Sequence, residues 1–446
     1  MKLRLPNQQL RLTVAENALM PQLLHLESLD LAALIQPGDT VMWGQANAEP
    51  LPLTQALMAQ RQKIGRFRVM LGIANSPTCT PEHTDHVDFI AYCGAGANRE
   101  LANAGLLQIM PSHYSELPDL ISSGALRIDV LMLQLAPANA EGRYSLSLAS
   151  EYLLPALDSA RLVIAEVNAQ APWTYSDRPL GDDDLDAILF TDRAPMENPL
   201  SQVRESDQRI AKHIAGLIED GATLQMGIGA IPDAVLSALG DHRHLGVHSG
   251  SLGDGVARLM LSGAITNQRK TIDRGISIGG ILMGTSLLHD YAHHNPSIQL
   301  RSTRYTHDAH ILESIDKLVA INSAVEVDLT GQVNSESAAG SYVGAIGGAV
   351  DFIRGSRRSK GGLPIIALPS TAGRHSRIVT RLNGPATIAR SDAVIVVTEY
   401  GIADLRGMTL NQRTTKLLEI AHPEHRAALQ AQLDKGAAGS ATAKRK

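Results

Sequence analysis

Gly221-Ala222-Thr223-Leu224-Gln225-Met226-Gly227-Ile228-Gly229-Ala230-Ile231-Pro232 has the pattern of a short buried strand, a glycine-bearing turn and a helix with proline in its first turn. The stretch has an echo 183 residues earlier. Gly38-Asp39-Thr40-Val41-Met42-Trp43-Gly44, then Pro50 and Ala56-Leu57, matches Gly221 to Gly227, then Pro232 and Ala238-Leu239, with a one-residue gap. Two such openings predict two similar α/β halves of about 200 residues each.

Around these units, β-branched or Leu-rich runs alternate with longer amphipathic stretches, the pattern of parallel strands and crossover helices. Strands are expected at Thr40–Trp43, Arg68–Leu71, Asp129–Leu135, Leu162–Val167, Thr223–Met226, Leu245–His248, Ile276–Leu282, Lys317–Ile321, Pro364–Leu368 and Ala393–Thr398. Helices are expected at Leu53–Gln62, Glu205–Ile218 and Ile231–Leu239. The polar stretch from Gly181 to Ser206 marks the seam, giving domains over 1–203 and 204–436. Residues 437–446 are small and basic without apolar period, as in a disordered tail.

Composition agrees with that class. The 446 residues are 44% hydrophobic but only 3% aromatic, with 38 Gly and 21 Pro, so Ala, Leu, Ile and Val interrupted by turns supply the core. A net charge of −5 offers no basic excess for a nucleic acid or an anionic membrane. Cys79 and Cys93 are too few for a disulfide framework. The amino terminus lacks the apolar core of a signal peptide, so a cytoplasmic location is expected.

Among chemical motifs, a metal site finds no support: the sixteen His are scattered, and the pairs His242/His244 and His293/His294 have no clustered acid or thiol. A dinucleotide fingerprint fails because Pro232 stands where Gly227-Ile228-Gly229 would need a third glycine. Glycine-rich turns at Gly44, Gly227–Gly229, Gly250–Gly255 and Gly344–Gly348 would let backbone N–H groups converge on an oxyanion in a cleft between the halves. Ser249-Gly250-Ser251 resembles a nucleophile elbow but lacks its first glycine, so either serine reads as a turn residue sooner than as a nucleophile. Glu49 is a candidate base or nucleophile, or simply an acid favoured at a helix start.

The segments Leu224 to Leu236, Val397-Thr398-Glu399-Tyr400-Gly401-Ile402-Ala403-Asp404-Leu405-Arg406-Gly407 and Ile420-Ala421-His422-Pro423 resemble the family I CoA-transferases. The resemblance is closest to the acetyl-CoA hydrolase/transferase branch that includes 4-hydroxybutyrate CoA-transferase, and runs from about Gly38 to about Leu429. It implies two open α/β domains of the NagB/RpiA type, usually in a homo-oligomer such as a dimer, with CoA thioesters as substrate and no metal. It also implies an oxyanion and CoA region at Gly227, Ile228, Gly229, Ile346, Gly347 and Gly348, and a substrate side at Asn47, Phe89, Tyr92 and Arg99. In such enzymes a glutamate attacks the thioester, becomes glutamyl-CoA, and is attacked in turn by the acceptor acid.

The sequence departs from the family at that glutamate. Val247-His248-Ser249-Gly250-Ser251-Leu252-Gly253-Asp254-Gly255 keeps the flanking His248-Ser249 and Asp254-Gly255, but Gly250 stands at the nucleophile position. Ala345 and Ala349 replace a Gly and a Gln of the oxyanion loop. The expected chemistry is acyl transfer from an acyl-CoA to a bound nucleophile or water without a glutamyl-CoA intermediate. The alternatives are CoA exchange between acids, with another carboxylate such as Glu49 or a ternary route substituting, and a catalytically inactive acyl-CoA-binding subunit.

Overall fold

Two parallel sheets organise the chain in the computed structural model, which describes residues 20–199 and 201–443, the side chains of 436–443 excepted. The first sheet has eight strands, all parallel. Edge to edge they are Gln22–Leu24, Ala187–Thr191, Leu162–Asn168, Val130–Leu135, Thr40–Trp43, Phe67–Leu71, Val87–Ala91 and Leu107–Ile109. The second runs Gly246–Val247, Thr223–Met226, Leu318–Ser323, Leu363–Ala367, Ile395–Thr398 and Gly401–Asp404, parallel except for its last pair. Thr40–Trp43, Val130–Leu135 and Leu162–Asn168 are buried along their whole length, as strands covered on both faces must be.

The two echoed units take equivalent places. Thr40–Trp43 pairs on one side with the next long strand, Phe67–Leu71, reached through the helix Leu51–Ile64, and on the other with the distant Val130–Leu135. Thr223–Met226 likewise pairs with Gly246–Val247, reached through the helix Ala230–Ala238, and with the distant Leu318–Ser323. Each echoed strand therefore opens a topological switch point, where neighbouring connections leave in opposite directions and a crevice forms beyond the strand ends.

Several expected elements change extent. The helix from Glu205 ends at Ala215 with Gly216 as its cap, three residues short of Ile218. Leu245–His248 shortens to Gly246–Val247, and the backbone helix Pro423–Ala443 enters the segment expected to fray. Ile276–Leu282 splits into Ser277–Gly279 and Ile281–Leu282, which join different small sheets. Gly280 is the break. Its N–H donates to the Gly250 carbonyl at 2.9 Å, and its own carbonyl accepts from Ser150 N at 2.9 Å, so it bonds across to two other segments rather than along a strand.

The halves are joined by specific contacts. Gly94 N donates to Gly344 O at 2.9 Å and Tyr114 N to Gly347 O at 3.0 Å, laying the second half's glycine loop on the first half. Ser115 Oγ donates to Asp351 at 2.8 Å. Burial raises the Asp351 carboxyl to about 6, an effect that the Ser115 hydrogen bonds oppose. Among the described residues, no helix is long and apolar enough to cross a membrane.

Candidate active site

Beyond the end of Thr40–Trp43 the chain turns through Gly44 into Gln45, whose carboxamide organises a buried polar centre. Gln45 Oε1 accepts from Tyr92 OH at 2.7 Å and Ile73 N at 2.8 Å. Its Nε2 donates to Tyr114 OH at 2.8 Å and to the two Glu151 oxygens at 2.8 and 2.9 Å. Tyr114 OH donates to Glu151 Oε1 at 2.5 Å. Both amide ends are thus satisfied, as a buried amide requires.

Glu151 is only 2% exposed, and burial raises its carboxyl to about 7 against the pull of the Tyr114 and Gln45 hydrogen bonds. Desolvation wins because an ionised carboxylate loses more from leaving water than two neutral donors return. Tyr92, Tyr114 and Tyr152 surround it with ring centroids 5.4 to 6.4 Å apart in edge-to-face contact. In a chain with nine tyrosines, three on one carboxylate is a concentration that composition alone does not explain.

Gly250 adjoins this centre from the second half. A Cβ added at Gly280 would lie 2.9 Å from the Gly250 carbonyl oxygen and 3.2 Å from Glu151 Cγ, so Gly280 brings the two segments together by lacking one. A Cβ at Gly250 would lie 3.0 Å from His307 Cε1, 3.2 Å from His307 Nε2 and 3.7 Å from Phe352 Cε2. The His307 ring thus closes the direction in which a side chain at 250 would project. It packs between Tyr114 and Phe352, at centroid distances of 4.9 and 4.6 Å. Burial lowers the His307 imidazole to about 3, so it is neutral at physiological pH.

The residues singled out from the sequence fall into several settings. His248 is fully buried, its Nε2 bonded to Thr306 O at 3.1 Å, and burial helped by Lys270 lowers it to about 3. Ser249 Oγ is engaged with Met226 N and O, both at 3.2 Å. Ser251 lines an open cleft with Gly227, Ile228, Gly229, Arg258 and Gly284. Ile228 is 47% exposed at that cleft, and Gly229 has a φ of +112°, a conformation that favours glycine. Gly348 lies against His307 Nε2, Gly347 has a φ of +56°, and Ile346 packs on the second half's core.

Glu49 accepts from Thr54 Oγ1 at 2.7 Å and Ser76 Oγ at 2.6 Å, partners separate from those around Gly250. Asn47 reaches the second half, donating to Gly284 O at 3.1 Å. Tyr92 belongs to the Gln45 network, whereas Phe89 packs in the hydrophobic layer with Leu53 and Leu57. Arg99 is exposed. Gln45, Tyr114, Glu151 and His307 were not singled out from the sequence. They lie in no shared motif, and only the concentration of scarce aromatics in space marks the place. Among the described residues, no group of three or more His, Cys, Asp or Glu is arranged to hold a metal ion.

Two open α/β units meeting at their switch points, with glycine loops on the cleft, define the architecture of a CoA-transferase. Residues 24–196 match the acetyl-CoA hydrolase/transferase N-terminal domain and residues 284–433 its C-terminal domain. A 4-hydroxybutyrate coenzyme A transferase from Clostridium kluyveri is 39% identical over 401 residues, covering 89% of this chain and 94% of the relative. A succinyl-CoA:cyclohexane-1-carboxylate CoA transferase from Geobacter metallireducens is 33% identical, covering 90% and 93%. The crystal structure of RipA from Yersinia pestis superposes with a TM-score of 0.88 at 33% identity, over 93% of this chain and 97% of that one. The chain belongs to the acetyl-CoA hydrolase/transferase family.

Proposed function

We propose that this protein is an acyl-CoA-dependent enzyme that passes the acyl group directly from the thioester to a bound nucleophile or water, without a glutamyl-CoA intermediate. The observation that carries the reading is Gly250 itself, bracketed by His248-Ser249 and Asp254-Gly255, with the His307 ring set against it. Exchange of CoA between two free acids in this family runs through an enzyme carboxylate that carries the CoA. Water, an alcohol or an amine has no such need, since a polarised thioester is open to a positioned nucleophile with a base at hand.

The test is turnover of acetyl-CoA and butyryl-CoA with trapping by hydroxylamine or borohydride. Thiol release with no glutamyl adduct is expected, and a trapped glutamyl-CoA on any residue overturns the reading.

CoA exchange between acids is the second reading, favoured by the activities for which the relatives at 39% and 33% identity are named. If Glu49 carries that exchange, Glu49→Gln abolishes transfer of CoA from butyryl-CoA to acetate. Unchanged exchange removes Glu49 from that role.

A further inference from the structure

We propose that Glu151 is the general base of this site, and that the neutral His307 ring beside Gly250 donates its Nε2–H to the thioester oxygen. This rests on the direct-transfer reading above and assigns its two missing roles.

Position comes first. Glu151 Cγ and the Gly250 carbonyl oxygen both approach the point where a Gly280 side chain would begin, at 3.2 and 2.9 Å, and Tyr114, bonded to the Glu151 carboxylate, packs on the His307 ring that faces the 250 position. The carboxylate is oriented on one side by Tyr114 OH at 2.5 Å and Gln45 Nε2 at 2.8 and 2.9 Å. These donors hold one geometry and leave further lone pairs for an incoming O–H.

The tautomer of His307 follows from its partners. Thr306 Oγ1 lies 2.8 Å from His307 Nδ1, whereas its other acceptor, Ser302 O, is at 3.5 Å. The hydroxyl hydrogen therefore goes to Nδ1, which puts the ring proton on Nε2. Nε2 has no hydrogen-bond partner among the described residues, although His307 is only 4% exposed and the atom lies against Gly250 and Gly348. A donor without a protein partner is open to an incoming oxyanion.

The step balances with water as nucleophile. Glu151 takes a proton from water as the water oxygen bonds to the thioester carbon, and the C=O π pair moves onto oxygen, which the His307 Nε2–H stabilises. When the carbonyl re-forms, the C–S bond breaks with its electron pair on sulfur, and the Glu151 proton passes to the thiolate. The products are a carboxylic acid and CoA thiol, and Glu151 is again a carboxylate.

Tyr92, Tyr114 and Tyr152 face Glu151, and behind them Cys93 adjoins Tyr92 and Tyr152 while His307 adjoins Tyr114. Burial raises the tyrosines and the thiol and lowers the imidazole, so all five stay neutral over roughly pH 5–9 while Glu151 titrates.

The experiment measures thiol release from acetyl-CoA and butyryl-CoA by the full chain across that pH range. The wild type should show a rate rising to a plateau above about pH 7, as expected for a base with the Glu151 value. Glu151→Gln should lose roughly 100-fold or more in kcat, with CoA-ester binding by calorimetry kept, which also reports folding. Tyr114→Phe removes a hydrogen bond that favours the carboxylate, and should move the rising limb to higher pH. His307→Ala should lower kcat, and His307→Gln, which keeps an N–H donor, should recover part of it.

Unchanged kcat and pH profile in Glu151→Gln, or an unmoved limb in Tyr114→Phe, overturns the assignment while leaving direct transfer intact. A glutamyl-CoA adduct in the wild type, or no turnover of either thioester, overturns direct transfer and the assignment together.

Discussion

At the residue scale, the space beside Gly250 decides what the site tolerates. A glutamate restored there begins with its Cβ 3.0 Å from His307 Cε1, and its longer atoms need the volume that the ring fills. Overpacking of this kind costs about 1–3 kcal/mol. Gly250→Glu alone is therefore expected to melt at lower temperature and to form no trappable glutamyl-CoA. Removing the ring frees the volume, so Gly250→Glu combined with His307→Ala is expected to give the hydroxylamine-sensitive adduct. An adduct in the single variant, at a rate comparable with the double, would show that His307 does not block the position.

At the element scale, the site depends on how the glycine loop of the second half lies on the first. Gly94 donates to Gly344 O at 2.9 Å, and a Cβ at Gly94 would collide with the backbone carbonyl of Tyr342, which has no rotamer by which to retreat. Gly94→Ala should thus lift the loop that carries Gly347 and Gly348, lowering kcat by about tenfold or more while leaving both sheets intact by circular dichroism. Wild-type kcat in that variant would mean that loop docking does not tune the site. The same dependence explains what was legible in the sequence. Thr40–Trp43 and Thr223–Met226 have the bounds expected from their glycines and β-branched runs, because local signals punctuate them. Val87–Ala91 and Ala187–Thr191, two five-residue strands of the parallel sheet, fall outside the expected set: Asp88 interrupts the first, whereas the second is an apolar run of four residues closed by Thr191. Ile276–Leu282 broke at Gly280 for a tertiary reason, the approach of Gly250 and Glu151, to which no periodicity responds. Gly250 could be found because its neighbours in sequence carry the pattern, whereas Gln45, Tyr114, Glu151 and His307 converge only once two switch points face each other.

At the scale of the whole molecule, one ionisation should act on stability and on activity in opposite directions. Glu151 is raised from 4.5 to about 7 in the folded protein, so the folded state holds its proton more tightly than the unfolded chain. Its favourable contribution is full below about pH 4.5, declines as pH rises through about 7, and stays lost above that. At 1.36 kcal/mol for each pKa unit, the loss is on the order of 3 kcal/mol. Asp351, His248 and His307 also titrate differently on folding, so the stability of the wild type alone mixes several groups. The difference between wild type and Glu151→Gln cancels those shared terms and leaves a fixed offset plus the Glu151 contribution. Thermal or denaturant unfolding of both proteins from about pH 4 to about 8 should therefore show the variant gaining on the wild type as pH rises, then a constant gap. Over the same interval wild-type turnover should climb, because the ionisation that weakens the fold creates the base. A gap that does not change with pH would place the Glu151 carboxyl at its ordinary value and remove the energetic basis for its poise near neutrality.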